Sequence, residues 1–343
     1  MSRSTRWTRR SALTVSGVLL ALPALAACGT EGHGRAGDGE GATRTVTGAY
    51  GEIEIPADPQ RIMADPMTVD YLTALGYDTS VIVGVFAATD HVEEEDHYLH
   101  DALDWDAMVD PGYTYEADLE QVAAADPDLI LVPFDQIDGA EGLDQMKEIA
   151  PLLAVPTSEP TEEEGRYGGT ASFQDWRGTL RSYGELLDRE EEAEAYIAET
   201  EEQLETLRTD QAAAIAEIEV VQAKSTPDYV AVNPLTSDKG AIGVTLLREL
   251  GFEQPEQLDA IEPDEWGTID ISPENTSLLD GDLLFLEVRD ATSRHEDSPL
   301  WPTLDVVAND RVVTVGNHWE FGGAVGARAV IADIAAAIDE GVA

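Results

Sequence analysis

Phe173-Gln-Asp-Trp-Arg-Gly-Thr-Leu-Arg-Ser-Tyr-Gly-Glu-Leu-Leu-Asp-Arg-Glu-Glu-Glu-Ala-Glu194 is the stretch on which the reading of the fold turns. Its inward-periodic residues fall at Trp176, Leu180, Tyr183 and Leu187, and continue at Ala193, Ile197, Thr200, Leu204 and Leu207. Steps of three and four put these on one helix face, which predicts helix to about Arg208. Ser172 with Asp175 is a helix-start pair, and Asp188 with Glu191 repeats it just after Gly184. Two consecutive helices are therefore expected to meet near Asp188. Similar blocks of strand-like and helix-like segments flank the stretch on both sides. It reads as a helical bridge between two α/β lobes; the plainer alternative is two surface helices of one domain.

Working back from the bridge, Val46, Ile53 and Ile55 suggest a strand pair turning at Tyr50-Gly51. Thr68 to Leu75 is a short helix ending at Gly76, and Val81 to Val85 is a buried strand. Leu119 to Ala125 is helical up to Pro127, and Leu129 to Val132 is the next strand. Gly142 to Ile149 is helical, and Leu152 to Val155 closes the first block. Working forward, Tyr229 to Val232, Leu283 to Val288 and Val312 to Val315 read as strands. Gly243 to Leu250, Ser272 to Leu279 and Gly326 to Ile338 read as helices, with Pro273 at a first helical position. Short apolar strands alternating with helices indicate a mostly parallel sheet in each block.

The first 28 residues stand apart. Arg3, Arg6, Arg9 and Arg10 precede an apolar run from Ala12 to Ala27 that ends in Leu25-Ala-Ala-Cys28. That is a basic region, an apolar region and a small-residue cleavage site, too short and wrongly flanked for a spanning helix. Leu-Ala-Ala-Cys resembles the bacterial lipobox, which implies that Cys28 is acylated. Cys28 is the only cysteine, so no intrachain disulfide is possible. At ~0.8 kcal/mol per buried CH2, a multiply acylated Cys28 holds a protein on a membrane. The alternative is a plain secretory signal with an incidental cysteine. Gly29 to about Arg44 lacks apolar periodicity and reads as a flexible leash.

Removing the leader leaves 16 basic residues against 69 acidic ones, and only three are lysines, Lys147, Lys224 and Lys239. Such a field repels nucleic acid and anionic lipid surfaces, which makes both poor candidates for a direct partner. Acid spread through every segment points to a surface solvated for high salt.

Four ordered segments carry a resemblance. They are Gly51-Glu-Ile-Glu-Ile-Pro-Ala-Asp-Pro-Gln-Arg-Ile62, Tyr115-Glu-Ala-Asp-Leu-Glu-Gln-Val-Ala-Ala-Ala-Asp-Pro-Asp-Leu-Ile-Leu-Val132, Ile271-Ser-Pro-Glu-Asn with Leu278-Leu-Asp-Gly-Asp-Leu-Leu-Phe285, and Trp301-Pro-Thr-Leu-Asp-Val-Val-Ala-Asn-Asp-Arg-Val-Val-Thr-Val315. In order and spacing they resemble the substrate-binding lipoproteins of iron–siderophore and cobalamin ABC importers. The resemblance implies an α/β fold of two Rossmann-like lobes bridged by a helix, the class III periplasmic-binding-protein type. It implies a leader at 1–28, a linker at 29–44, an N-terminal lobe at 45–172, a bridging helix at 173–189 and a C-terminal lobe at 190–343. It further implies a monomer outside the cytoplasm, tethered through Cys28, that carries no cofactor. Its partner would be an ABC permease dimer with its ATPase, docked through one surface carboxylate per lobe. By motif these are Glu120 and Glu274.

In two-lobe α/β proteins the ligand sits beyond the carboxyl ends of the strands. Loops in that position hold many of the 22 aromatics. From them we expect Tyr113, Tyr115, Trp176, Trp266 and Trp319 to wall the site, with Arg166, Arg289 and Arg294 as cations. Trp105 and Trp301 are expected in the packing. Some relatives place an Arg or Trp ahead of the second motif, where this chain has Gly112-Tyr-Thr-Tyr115. A ferric tris-catecholate carries several negative charges and wants a basic cleft; a ferric hydroxamate is neutral or cationic and suits this acidic, aromatic chain better. Two rival readings stand beside a ferric siderophore receptor. His91, His97 and His100, interleaved with acids, would suit a zinc or manganese receptor of a related two-lobe type. A tethered hydrolase is the other, although neither Gly-x-Ser-x-Gly nor a phosphate-binding loop is present. A single stiff helical crossing predicts small lobe movement on binding.

Overall fold

The computed structural model describes residues 41–87, 97–133, 137–156, 175–237, 239, 241–264, 266–289 and 294–339. Cys28, His91 and Arg166 lie outside these. The described chain opens with an antiparallel hairpin, β1 (Thr43–Gly48) and β2 (Gly51–Pro56), that sets Val46 opposite Ile53. There follow β3 (Ile62–Ala64), α1 (Pro66–Ala74), β4 (Ile82–Val85), α2 (Leu119–Ala124), β5 (Leu129–Pro133), α3 (Leu143–Ile149) and β6 (Leu152–Val155). The strands form a parallel sheet in the order β4-β3-β5-β6. Their residues are apolar and almost all buried, as a sheet covered on both faces requires. Asp65 starts α1 by accepting the Thr68 N–H at 2.8 Å, with Pro66 in the first turn where its missing N–H costs nothing.

The decisive stretch is two helices, α4 (Trp176–Leu187) and α5 (Glu190–Asp210). Asp175 caps α4, accepting the Gly178 N–H at 2.8 Å. Asp188 is a stop rather than a second start. It ends α4 in the left-handed region at φ 54°, which Asp tolerates better than most residues, and α5 begins without a side-chain cap. Glu190, Glu191 and Glu192 in the first turn of α5 face its positive end instead.

The second lobe holds β7 (Val220–Ser225), β8 (Val230–Val232), α6 (Ile242–Leu250), β9 (Ile269–Asp270), β10 (Leu283–Val288), β11 (Val312–Val315), α7 (His318–Phe321) and α8 (Ala324–Asp339). Its sheet runs β11-β10-β7-β8-β9, with β7, β10 and β11 parallel and β8 antiparallel to both of its neighbours, β7 and β9. The central strand β7 had no place in the sequence reading. Val220 and Val221 follow an alanine-rich helical run, and Gln222, Lys224 and Ser225 hide the apolar signal. Pro273–Leu279 is a 3-10 helix rather than an α-helix.

Helix α4 packs against α1, β1 and β6 of the first lobe and α8 of the second. At its start Arg177 pairs with Glu201 of α5 at 3.0 Å and Glu249 of α6 at 2.9 Å. Near its end Arg44 of β1 donates to the Leu186 carbonyl and lies 3.7 Å from Asp188. Between these, Tyr183 stacks on Tyr71 with centroids 4.9 Å apart and shares a 2.8 Å hydrogen bond with Thr68. Beside it Asp70 of α1, fully buried, accepts the N–H groups of Gly323, Val325 and Gly326 at 3.1, 2.7 and 2.9 Å. The first lobe thus caps the last helix of the second. Position 323 must be glycine for this: a Cβ there would stand 2.7 Å from Asp70 Oδ1. Burial pushes the Asp70 carboxyl up to about 6, against the pull of the three backbone N–H groups and Tyr98.

Candidate functional site

Because Asp70 follows β3 and its partners follow β11, this tie brings the carboxyl ends of the two sheets together. The second lobe opens there on a cavity of about 660 Å³ lined by Lys224, Tyr229, Asp264, Trp266, Glu320 and Phe321, among others. Lys224 comes from the last turn of β7 and lies beside Glu287 of β10 in register. Its ammonium meets Glu320 at 2.8 Å, and Arg289 donates both to Glu320 and, at 2.9 Å, to Glu287. Two cations and two carboxylates therefore close on one another, and of these Lys224 and Glu320 line the cavity floor.

Burial pulls the Lys224 ammonium down, but Glu320 more than offsets this and holds it above its ordinary value. Glu287, 1% exposed, is pushed up to about 7 by burial and then by Glu320, with Arg289 and Lys224 opposing. Its Oε2 has no hydrogen-bond partner among the described residues.

Aromatic faces rise from this floor. The Lys224 ammonium lies 5.7 Å from the Tyr229 centroid, and the Arg289 guanidinium 5.0 Å from that of Phe321. Trp266 is 67% exposed in the cavity wall. Asp264 holds its turn, accepting the Trp266 and Thr268 N–H groups, both at 2.9 Å, and the Thr268 hydroxyl at 3.1 Å. Burial raises the Asp264 carboxyl, but these donors outweigh it and leave it below its ordinary range. The turn also requires Gly267, at φ 82°, where a Cβ would lie 2.1 Å from the Lys239 carbonyl.

From the first lobe, the Ala87 N–H after β4 donates to the Gly112 carbonyl at 2.9 Å, which sets the next residues at the carboxyl end of that sheet. Tyr113 and Tyr115 stack there with centroids 5.2 Å apart, and Tyr115 is 52% exposed.

Trp266, Arg289, Tyr113 and Tyr115 therefore fall on the cleft side of their lobes. Arg294 is exposed, does not line the cavity, and pairs with Asp297 at 3.1 Å. Trp176 and Trp319 do not line the cavity; both are 0% exposed. Trp319 stacks on Phe285 at 4.4 Å and donates to Asp333 at 2.8 Å, so its polar edge is already used in the core. Trp176 is sealed under α4 with Arg177 across its ring at 4.6 Å. Trp301 is buried, and Trp105 is half-buried and donates to the His100 carbonyl at 2.8 Å. The sequence reading missed Lys224, Tyr229, Glu287 and Glu320. A lysine among only three, ending a short run that begins Val-Val, was the available signal. Among the described residues no three His, Cys, Asp or Glu side chains gather as a metal site. His97 accepts the Leu99 N–H at 3.1 Å and lies against Tyr98. Glu120 and Glu274 are exposed in the first turns of α2 and the 3-10 helix.

The family model described as periplasmic binding protein matches residues 62–318. The chain belongs to that family. Periplasmic binding proteins are extracytoplasmic, non-enzymatic transport receptors, without a cofactor of their own. Solved structures share the two-lobe fold. The petrobactin-binding protein YclQ of Bacillus subtilis is 18% identical with a TM-score of 0.64, covering 87% of this chain and 99% of its own. SirA of Staphylococcus aureus, solved with staphyloferrin B, is 19% identical with a TM-score of 0.61, covering 87% and 99%. FhuD2 of the same organism, with bound ferrioxamine B, is 17% identical with a TM-score of 0.62, covering 82% and 100%. No curated protein matches the chain. Among the described residues no helix is long and apolar enough to cross a membrane.

Proposed function

We propose that this periplasmic binding protein is a lipid-anchored receptor that captures a ferric siderophore, of hydroxamate type, and delivers it to an ABC importer. The observation that carries this reading is the cavity itself: a space of about 660 Å³ walled by Trp266, Tyr229 and Phe321 over a floor whose cations are neutralised. Aromatic faces suit a bulky, partly apolar chelate, and a balanced floor suits one that carries little negative charge. The relatives solved with ferrioxamine B and staphyloferrin B support the class of ligand.

In this reading Cys28 carries the anchor, residues 29–44 are the leash, the lobes divide at 172 and 190, and the monomer docks through Glu120 and Glu274. Trp266, Tyr113 and Tyr115 contact the chelate, with Arg289 beneath it and Arg166 and Arg294 as further cations. Tryptophan fluorescence titrated with ferric hydroxamates, ferric catecholates, haem, cobalamin and Zn(II) tests it. Saturable quenching by a ferric hydroxamate is expected; a response to Zn(II) alone would overturn the assignment. Reversing Glu120 or Glu274 to Arg is expected to stop uptake by cells while ligand binding persists. Replacing Cys28 by Ala is expected to release the protein from membranes.

A further inference from the structure

Lys224 lines the cavity floor, and Arg289 joins it through a shared carboxylate: each is within ion-pair distance of Glu320, which also lines the cavity. Glu320 is mostly buried, and its two oxygens are divided between them: Oε1 faces Lys224 and Oε2 faces Arg289. Glu287 completes the set from below through the Arg289 Nε. Among the described residues, an incoming anion therefore finds both Lys224 and Arg289 already committed to Glu320. To reach Lys224 or Arg289 it must expel Glu320 from a bridge that chain geometry holds in place, since residue 320 sits in α7 with its neighbour Trp319 locked in the core. A neutral or cationic ligand leaves the bridge intact.

We infer that Glu320 is the specificity-determining residue of the cleft, a built-in counter-ion that turns away polyanionic chelates and admits neutral and cationic ones. This rests on the receptor reading above and names the residue that sets its ligand class. The side chain acts through charge at short range, so its effect scales with ligand charge: one charge removed a few ångströms away changes affinity roughly tenfold per unit of ligand charge.

The test compares wild type, Glu320→Gln and Lys224→Gln by fluorescence titration with cationic ferrioxamine B, neutral ferrichrome and a polyanionic ferric tris-catecholate. Thermal melting of each variant checks that it is folded. Wild type is expected to bind ferrioxamine B and ferrichrome and to reject the tris-catecholate. Glu320→Gln is expected to raise affinity for the tris-catecholate at least tenfold, lower it for ferrioxamine B several-fold, and leave ferrichrome nearly unchanged. Lys224→Gln, which leaves Glu320 in excess, is expected to shift the ratio the opposite way. Equal changes for all three chelates in both variants would overturn the role of Glu320 while leaving the receptor reading standing. Tight binding of the tris-catecholate by wild type would do the same. Failure of wild type to bind any of the three would remove both.

Discussion

Asp70 and Glu287 are both carboxylates removed from water, one at the joint between the lobes and one beneath the floor of the cleft. Burial raises both, to about 6 and about 7 respectively. Their partners differ. Asp70 receives three backbone N–H groups at the positive end of α8, fixed donors that cannot rearrange without moving the helix. Glu287 faces side-chain cations that it shares with Glu320, and one of its oxygens has no partner among the described residues. The Asp70 carboxylate has its donors in place and sets geometry, although Trp176 Nε1, Thr179 Oγ1 and Arg44 Nε along α4 are buried without a hydrogen-bond partner among the described residues. The cleft has left part of its polar capacity open, as expected where binding is to occur.

The largest effect that would break this contrast is at the joint. Asp70→Ala leaves three donors without their acceptor and is expected to cost about 3–5 kcal/mol in urea unfolding, with ligand preference retained. Trp319→Ala, also in packing rather than in the wall, should cost a similar ~3–5 kcal/mol. A variant at either place that altered ligand choice but not stability would mean that the joint and the cleft have been wrongly separated.

The pH dependence of stability sharpens the same contrast. Asp70 loses its proton near 3.8 when unfolded and near 6 when folded. Between those values the folded state holds the extra proton. Stability from this group is therefore highest below about pH 4 and falls as pH rises to 6, by at most about 3 kcal/mol. Tyr98 and Tyr196 also face this carboxylate, but both are pushed up by burial and stay neutral throughout. Asp70→Asn should remove the fall below pH 6 and leave the portion due to Glu287, which has the same sign and reaches pH 7. Urea midpoints of wild type and variant from pH 4.5 to 7.5 measure the difference. A wild-type curve that rises through this window relative to Asp70→Asn would contradict the buried-carboxylate account.

These two sites also show what a sequence can disclose. The lobes were legible because Leu129 to Val132, Leu152 to Val155 and Leu283 to Val288 are apolar runs of strand length, and the bridge because its spacing has one period. Asp70 and Glu287 were not legible, because a buried acid looks like any other of the 69 until the chain brings Gly323 or Arg289 to it. The aromatic wall was half legible. Loop position pointed to Trp266, which lines the cavity, and equally to Trp176 and Trp319, which are buried. Trp319 packs inward because Asp333 takes its N–H; Trp176 is buried with no partner for its N–H among the described residues, under the Arg177 guanidinium. Strand β7 was missed for a related reason: its polar residues are used inside the lobe, Lys224 at the cavity, Gln222 by Asn233 and Ser225 by His295.

Within the wall, Trp266→Ala should reduce affinity for the best ferric hydroxamate by about 1–2 kcal/mol, roughly five- to thirtyfold, by loss of buried apolar area. Stability should change by less than about 0.5 kcal/mol, since the side chain is largely exposed. Asp264→Ala should give part of the same loss by freeing the turn that aims the ring.

The smallest effect separates the two lobes as binding surfaces. The first lobe offers Tyr113 stacked on Tyr115, with no cation among the residues that line this described part of the site. The second supplies the charged floor and most of the aromatic area. If the second lobe holds the chelate and the first only covers it, Tyr115→Ala should cost about 0.5–1 kcal/mol of affinity. The loss should appear as faster dissociation with an unchanged association rate, because a covering ring slows escape more than entry. Stopped-flow quenching resolves the two rates. Charge preference should be untouched, since Tyr115 contributes no charge near Glu320. A Tyr115→Ala loss larger than that of Trp266→Ala would reverse the order of the two lobes, with capture starting on the first and the balanced floor of the second acting only after closure.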